Sequence, residues 1–440
     1  MKPSRLLLIT FFLIGVVIHS HSQTFHLDKT TYQKGEKISV HFDRADSLSG
    51  KAWIGIVPAH VTHGSEERND RYDIVYRFIE DHPNGNMTFY APSYGTSWDI
   101  RFNSNDRGNQ EYSYETIYID STSEETSLTE ELAIWNVPAI GIGYIEGGEL
   151  SEIKVVGHTH KTQKAPFNTR FNVASLTKPV VAMLTLNLVS SGAWDLDEPL
   201  AKYWVDPDVK DDPRHELLTT RHVLSHQTGF PNWRRDKALS FSFDPGSGYG
   251  YSGEGYEYLR EALEKRFSKP MEKLVDSLLF QPLGISESHF IWDQDLGYER
   301  FAQWHDEGRY TYSVWEREDA NAADDLITTL EDYGRFVVSV LQKTGISEAV
   351  YEDMVRMQVE RRENKGFGLG WELITGLPNG EIALTHGGSD RGVQTIVMLF
   401  PKSQRGLLVF TNGDNGSRLF LRVIQSYIPD LFEALLRYSR

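Results

Sequence analysis

The sequence predicts an α+β fold: an antiparallel sheet flanked by helices, with a helical subdomain beside it, preceded by an all-β sandwich of immunoglobulin-like type. Three observations lead there. Between Phe25 and Ile119, short apolar blocks with strand-like alternation follow one another. Asp120 to Thr126 is polar, without apolar periodicity, and reads as a linker. From Ser127 to Arg440, strand-like segments stand at both ends and helix-like segments between them, the pattern of a sheet built from the two ends of one domain.

Taken in order, the chain opens with Lys2 and Arg5, an apolar run from Leu6 to Ile18, and Ser20-His21-Ser22. This reads as a secretory signal peptide over residues 1–22, directing export to the periplasm or beyond. The run is short for a membrane span, so no span is expected after cleavage. The sandwich is expected over 23–119. Ile38, Val40 and Phe42 alternate with Ser39 and His41 behind a Lys34-Gly35 turn. Further strands are expected at Trp53 to Val57, Ile74 to Ile79, Met87 to Tyr90, Trp98 to Phe102 and Tyr114 to Ile119. Ser127-Leu128-Thr129-Glu130 offers a capping box for the first helix of the second domain, 127–440. Gly141 to Gly157 reads as a hairpin turning at Gly147-Gly148, and the middle of the domain as largely helical. Thr329 with Asp332 can cap a helix through Phe336, Val337 and Leu341. Strands at Gln394 to Phe400 and Gly406 to Thr411, then a helix through Leu421 to Leu431, close the chain.

The chain has 440 residues, 40% of them hydrophobic and 12% aromatic, enough for packed domains and too apolar for disorder. Its net charge of -17 argues against nucleic acid or an anionic membrane surface as partner. There is no cysteine, which excludes disulfides, thiolate metal sites and cysteine nucleophiles.

Ser175-Leu176-Thr177-Lys178 precedes the apolar run Pro179 to Val189. On a helix, residues three apart share a face, so the Lys178 amine can stand beside the Ser175 hydroxyl. At a helix N-terminus, free NH groups and the macrodipole favour an alkoxide or a bound oxyanion. Ser151-Glu152-Ile153-Lys154 repeats the Ser-x-x-Lys pattern in a strand-like segment, where positions i and i+3 face opposite ways. That copy is expected to be inert. His222 and His226 have metal-helix spacing but no third ligand, and His158, His160, His60 and His63 likewise read as structural. Asp324-Asp325 reads as helix-dipole and solvation charge. Gly-x-Ser-x-Gly, Gly-x-Gly-x-x-Gly in a βαβ setting and a P-loop are all missing, so neither a metal nor a nucleotide cofactor is implied.

Two further segments accompany Ser175 and Lys178: Tyr251-Ser252-Gly253 and Thr385-His386-Gly387-Gly388-Ser389. With Leu218 to Gly229, Leu196-Asp197-Glu198-Pro199 and Gly366 to Trp371, they resemble the signatures of serine β-lactamases, penicillin-binding proteins and related esterases, class C above all. The resemblance covers roughly Ser127 to Arg440. It implies a β-lactamase/transpeptidase-like fold and acyl transfer through Ser175, with Lys178 and Tyr251 sharing acid–base work, the general base left open between them. It implies His386 on an edge strand, an oxyanion hole from the NH groups of Ser175 and Ser389, and substrate contacts at Gly387, Gly388 and Gly253. Trp371 either walls the pocket or fills the core. Where the family's second motif carries a carboxamide this chain has Gly253, and where β-lactamases carry Lys-Thr-Gly it has His386-Gly387-Gly388. Both departures weaken recognition of carboxylated β-lactams. The substrate implied is a D-amino-acid peptide or small ester before a β-lactam. The rival readings are a D-alanyl-D-alanine carboxypeptidase and a catalytically silent binding protein, and the sandwich would recruit cell wall, glycan or protein.

Overall fold

A computed structural model describes residues 25–438 apart from 34–35, 43–50, 93–96, 106–110, 120–127, 161, 293–296, 309 and 315. The signal segment, the Lys34-Gly35 turn, the linker and Ser127 lie outside the described residues. The chain divides into two compact units, Met1–Ser123 and Glu124–Arg440.

The first unit holds two sheets. β1 (Phe25–Leu27), β3 (Lys37–Phe42) and β6 (Asn86–Tyr90) form one; β2 (Thr31–Tyr32), β8 (Glu111–Ile119), β7 (Ser97–Asn103), β4 (Trp53–Pro58) and β5 (Val75–Phe78) form the other. In β3, alternate residues Ile38, Val40 and Phe42 are buried, as a strand with one face on a core requires. Across β4 and β7, Ile54 lies opposite Phe102 and Ile56 opposite Ile100, and the Phe25 ring meets the Phe102 ring edge-on, joining the two inner faces. Two features depart from a simple sandwich. β2 runs parallel to β8, and a helix, α1 (Glu66–Tyr72), interrupts the strand series. The segment Glu66 to Tyr72 carries no apolar periodicity. It is helical because Ser65 caps it and Asn69 bonds the fully buried Arg101, itself paired with Asp99 at 2.8 Å.

In the second unit, α2 (Leu128–Ile134) leads into β9 (Ala139–Glu146) and β10 (Glu149–His160), paired as the expected hairpin. β11 (Gln163–Lys164) and β12 (Phe171–Asn172) follow, then a 3-10 turn at Ala174–Leu176 and α3 (Thr177–Ser190). The middle contains α4 (Thr220–Leu224), α5 (Gly253–Phe267), α6 (Met271–Val275) and α7 (Gln281–Leu283). It is less helical than expected: 191–219, 225–252 and the described residues between 284 and 326 are turns and loops with short 3-10 pieces, held by backbone and side-chain-to-backbone bonds. Then come β13 (Ile327–Thr328), α8 (Leu330–Leu341), α9 (Glu348–Met354), β14 (Val359–Arg362), β15 (Lys365–Phe367), β16 (Glu372–Ile374), β17 (Ala383–Asp390), β18 (Val393–Phe400), β19 (Arg405–Thr411), α10 (Phe420–Tyr427) and α11 (Pro429–Leu436). Thr329 caps α8 through the Asp332 NH at 3.1 Å, as the sequence indicates.

The main sheet has nine strands in the order β11-β10-β9-β19-β18-β17-β16-β15-β14, antiparallel throughout. The join between the chain ends is β9 against β19, with Ile142 opposite Val409. α8 packs on β9 and β10, and α10 on β19. α3 is buried almost all round, with Val180, Val181, Met183, Leu184 and Leu186 within 1% of full burial. At roughly 1.5–3 kcal/mol for each such side chain, this helix is a firm anchor.

The edge-strand placement of His386 needs correction. β17 is interior to the sheet, with β16, β15 and β14 beyond it. The pairing with β16 ends at Glu372 opposite Thr385, while the pairing with β18 continues to Asp390. From His386 onward β17 is therefore an edge on one side only, because β16 is three residues long. Among the described residues no helix is long and apolar enough to cross a membrane.

Candidate active site

Ser175 lies in the 3-10 turn immediately ahead of α3, one turn earlier than a helix-start placement. The turn is pinned from several sides. The Asn172 side chain accepts from the Ala174 NH at 2.7 Å, Thr177 Oγ1 donates to the Ala174 carbonyl at 2.7 Å, and Tyr333 Oη donates to the Leu176 carbonyl at 2.8 Å. Ala174 has φ 47°, a left-handed conformation that costs a residue with a Cβ. The cost falls directly before the serine.

The Lys178 ammonium donates to Ser175 Oγ at 3.0 Å and to the Ala323 carbonyl at 2.8 Å. The Ser175 hydroxyl also acts on the Tyr251 phenol, drawing it down against the effect of burial. Lys178 Nζ also lies 4.8 Å from the Tyr251 ring centre, 5.9 Å from that of Tyr256 and 6.0 Å from that of Trp233. Such rings favour a cation, yet complete burial acts more strongly and pulls the amine down to about 7, with Asp324 and Glu257 opposing. Burial pushes the Tyr251 phenol far above its usual range, so it stays protonated. A neutral amine and a neutral phenol on one hydroxyl make a basic partner and an acidic partner available together.

Ser151 lies on β10, where its hydroxyl donates to the Tyr144 carbonyl at 3.1 Å. Lys154 is exposed. The second copy of the pattern is spent on the sheet surface.

His386 is 4% exposed, and its Nδ1 donates to the Gly387 carbonyl at 2.9 Å, which leaves Nε2 as a lone pair with no partner. Burial, followed by the charge of Lys178, lowers it to about 3, so the ring carries no cation at neutral pH. Gly388 lies against the nucleophile turn: a Cβ there would stand 2.4 Å from the Val173 carbonyl and 2.3 Å from Thr395 Oγ1. Only a glycine lets β17 approach so closely. At Gly387 a Cβ would meet only the Thr395 carbonyl at 3.8 Å, an open position. Ser389 follows on β17, its hydroxyl accepting from Gln394 Nε2 at 2.9 Å.

Two expected substrate contacts take packing positions instead. Trp371 is fully buried in the hydrophobic core, so the core-filling alternative holds. Gly253 is buried under Trp233: a Cβ would stand 2.7 Å from that ring, and the Gly253 NH is used by the Asn232 carbonyl at 3.0 Å and side chain at 2.9 Å. The Trp233 ring thus leaves no room for any side chain at this position.

His222 and His226 do not share a helix face. α4 ends at Leu224, and His226 sits beyond it at φ 57°. His226 Nδ1 accepts from the Ser252 NH at 3.2 Å, and its ring lies on that of Tyr251 with centroids 4.2 Å apart. It therefore orients the phenol. His226, Trp233, Asn172 and Ala323 escape sequence reasoning as contributors to the site. Their contributions pass through backbone groups and ring faces, which no spacing announces.

The beta-lactamase family profile matches residues 129–424. The chain belongs to the beta-lactamase family. Penicillin-binding protein 4* of Bacillus subtilis (strain 168) is 25% identical over 329 residues, covering 65% of this chain and 71% of that protein. Esterase EstB of Burkholderia gladioli is 30% identical over 167 residues, 31% of this chain and 41% of the esterase. Among solved structures, an octameric penicillin-binding protein homologue from Pyrococcus abyssi superposes with a TM-score of 0.59 at 21% identity, covering 69% of this chain and 77% of that one. The last likeness establishes the fold alone. The beta-lactamase family is a hydrolase family with penicillin-binding and esterase members. In this chain His386 is uncharged and Trp233 lies over Gly253.

Proposed function

We propose that this protein is an exported serine hydrolase that cleaves an amide or ester through an acyl-enzyme on Ser175. The single observation that carries the reading is one hydroxyl bonded to a buried, weakened amine whose nitrogen also lies against the ring of a protonated phenol. With Lys178 neutral, the Ala323 carbonyl holds one of its N–H groups and leaves the lone pair for Ser175. Lys178 is then the general base. Ser175 Oγ gives its proton to Nζ as the Oγ–C bond forms, and the carbonyl oxygen takes the negative charge beside the NH groups of Ser175 and Ser389. As the scissile bond breaks, Tyr251 protonates the leaving group and recovers a proton from Lys178. Water repeats the sequence to release the acid.

His386 without charge and Gly253 without a carboxamide favour a substrate that needs no carboxylate clamp, a small ester or a D-amino-acid peptide, over a carboxylated β-lactam. Likeness to both a penicillin-binding protein and an esterase supports the same range. The test is mass spectrometry after incubation with a fluorophosphonate, followed by turnover of p-nitrophenyl esters, D-alanyl peptides and a chromogenic cephalosporin. A single adduct on Ser175 is expected, lost in Ser175→Ala and retained in Ser151→Ala, with esters or D-peptides cleaved faster than the cephalosporin. Labelling that survives Ser175→Ala refutes the assignment.

A further inference from the structure

Lys178 touches the segment Ala323-Asp324-Asp325 through the Ala323 carbonyl, and that segment is built rigidly onto the nucleophile turn. Thr177 Oγ1 accepts from the Leu326 NH at 3.1 Å, the Leu326 carbonyl accepts from the Val173 NH at 2.9 Å, and Asn172 Nδ2 donates to Asp325 Oδ1 at 3.2 Å. Asp325 has φ 70°, and the Asp324 carboxylate accepts from its NH at 3.0 Å. The carboxylates of Asp324, Asp325 and Asp390, the last of these following Ser389 on β17, lie with oxygens within 4.8 Å of one another. Arg317 is ion-paired to Asp325. Three carboxylates at that separation do not all ionise readily. Burial first, then Asp325 and Asp390, raise Asp324 to about 7, against the pull of Lys178. The other titratable groups facing Lys178 are Glu257 and Tyr256 on α5, Tyr251, His226 and His386.

We propose that Asp324 is a positioning residue that sets the protonation state of Lys178, and that Asp390 tunes it by holding Asp324 in its acid form. The inference rests on Lys178 acting as base for Ser175. An ionised Asp324 retains the ammonium and silences the serine; a protonated Asp324 releases a neutral amine. One proton is thus exchanged between the two groups, and their titration belongs to the pair.

The experiment measures the pH dependence of the fluorophosphonate labelling rate of Ser175 in the full chain, for wild type, Asp324→Asn and Asp390→Asn. Removing the Asp324 charge leaves the amine with less to hold its proton. The acid limb is expected to move down by at least about half a pH unit, roughly 3-fold in rate on the limb. Removing the Asp390 charge lets Asp324 ionise more easily, and the limb is expected to move up. These opposite signs distinguish the proposal from general damage to the site, which lowers the plateau and leaves the limb in place. If Asp324→Asn does not fold, the upward shift in Asp390→Asn, at the exposed position, decides alone. Limbs that stay in place, or both move the same way, overturn the role of Asp324 while labelling of wild-type Ser175 leaves the serine hydrolase reading standing. Absence of wild-type labelling removes both.

Discussion

Ser175 and Lys178 are three residues apart, and helical geometry alone brings their side chains to 3.0 Å. What spacing does not supply is the chemical state of the amine. Burial of Nζ lowers it to about 7, so activity is expected to rise with pH through about 7 as the ammonium loses its proton. A kcat/KM profile on whichever ester is turned over checks this. It should show no inflection near 6.5 from His386, whose lowering to about 3 keeps it neutral across the range. The same burial has a cost in stability. Between about 7 and the unfolded value of 10.5 the unfolded chain binds more protons at Lys178, so this lysine's contribution to stability improves as pH rises through that window and is poorest below it. Lys178→Met removes the buried amine and is expected to abolish labelling while raising stability by about 1 kcal/mol or more, read from denaturant unfolding. Unchanged or lower stability contradicts the desolvation argument.

Among the elements, β17 does most to shape the site. It is interior at Ala383 to Thr385 and open on one side from His386, because β16 begins only at Glu372, opposite Thr385. Its two glycines serve different ends, and substitution should separate them. Gly388→Val drives a side chain into the Val173 carbonyl and Thr395 Oγ1; a loss of about 1–3 kcal/mol and at least a hundredfold fall in kcat/KM are expected. Gly387→Ala meets open space and should unfold at nearly the wild-type midpoint, with any effect confined to KM. Thermal melts of the pair, beside kinetics, test the distinction. The 3-10 turn of Ser175 and the beginning of α5 show the same division of labour. A capping residue such as Thr329 could be read from the chain, whereas the close approach of Trp233 to Gly253 could not, because it joins residues twenty apart across an irregular loop.

At the scale of the molecule, each unit has buried apolar residues of its own, and Ser175, Lys178, Tyr251 and His386 all come from the second. Residues 124–440 produced alone are expected to fold cooperatively and label at Ser175 at a rate within about threefold of the full chain; failure to fold would show that the first unit is needed for more than recruitment. The hairpin at Gly147-Gly148, the closing strands and helix α8 were legible because apolar alternation and capping are local signals, and the loops of the middle were not. Helix α1 was not, since a polar heptapeptide becomes helical here only by bonding a buried arginine on a neighbouring strand. The sequence by itself determined the three-residue spacing of Ser175 and Lys178, the histidine at position 386 and the joining of the chain ends in one sheet. Tertiary structure alone decided how deeply the Lys178 amine is buried, why Trp371 is core and Trp233 is not, and how the acids around Asp324 bear on Lys178. Those outcomes depend on burial and on charges brought together from distant segments, and neither quantity exists until the chain has folded.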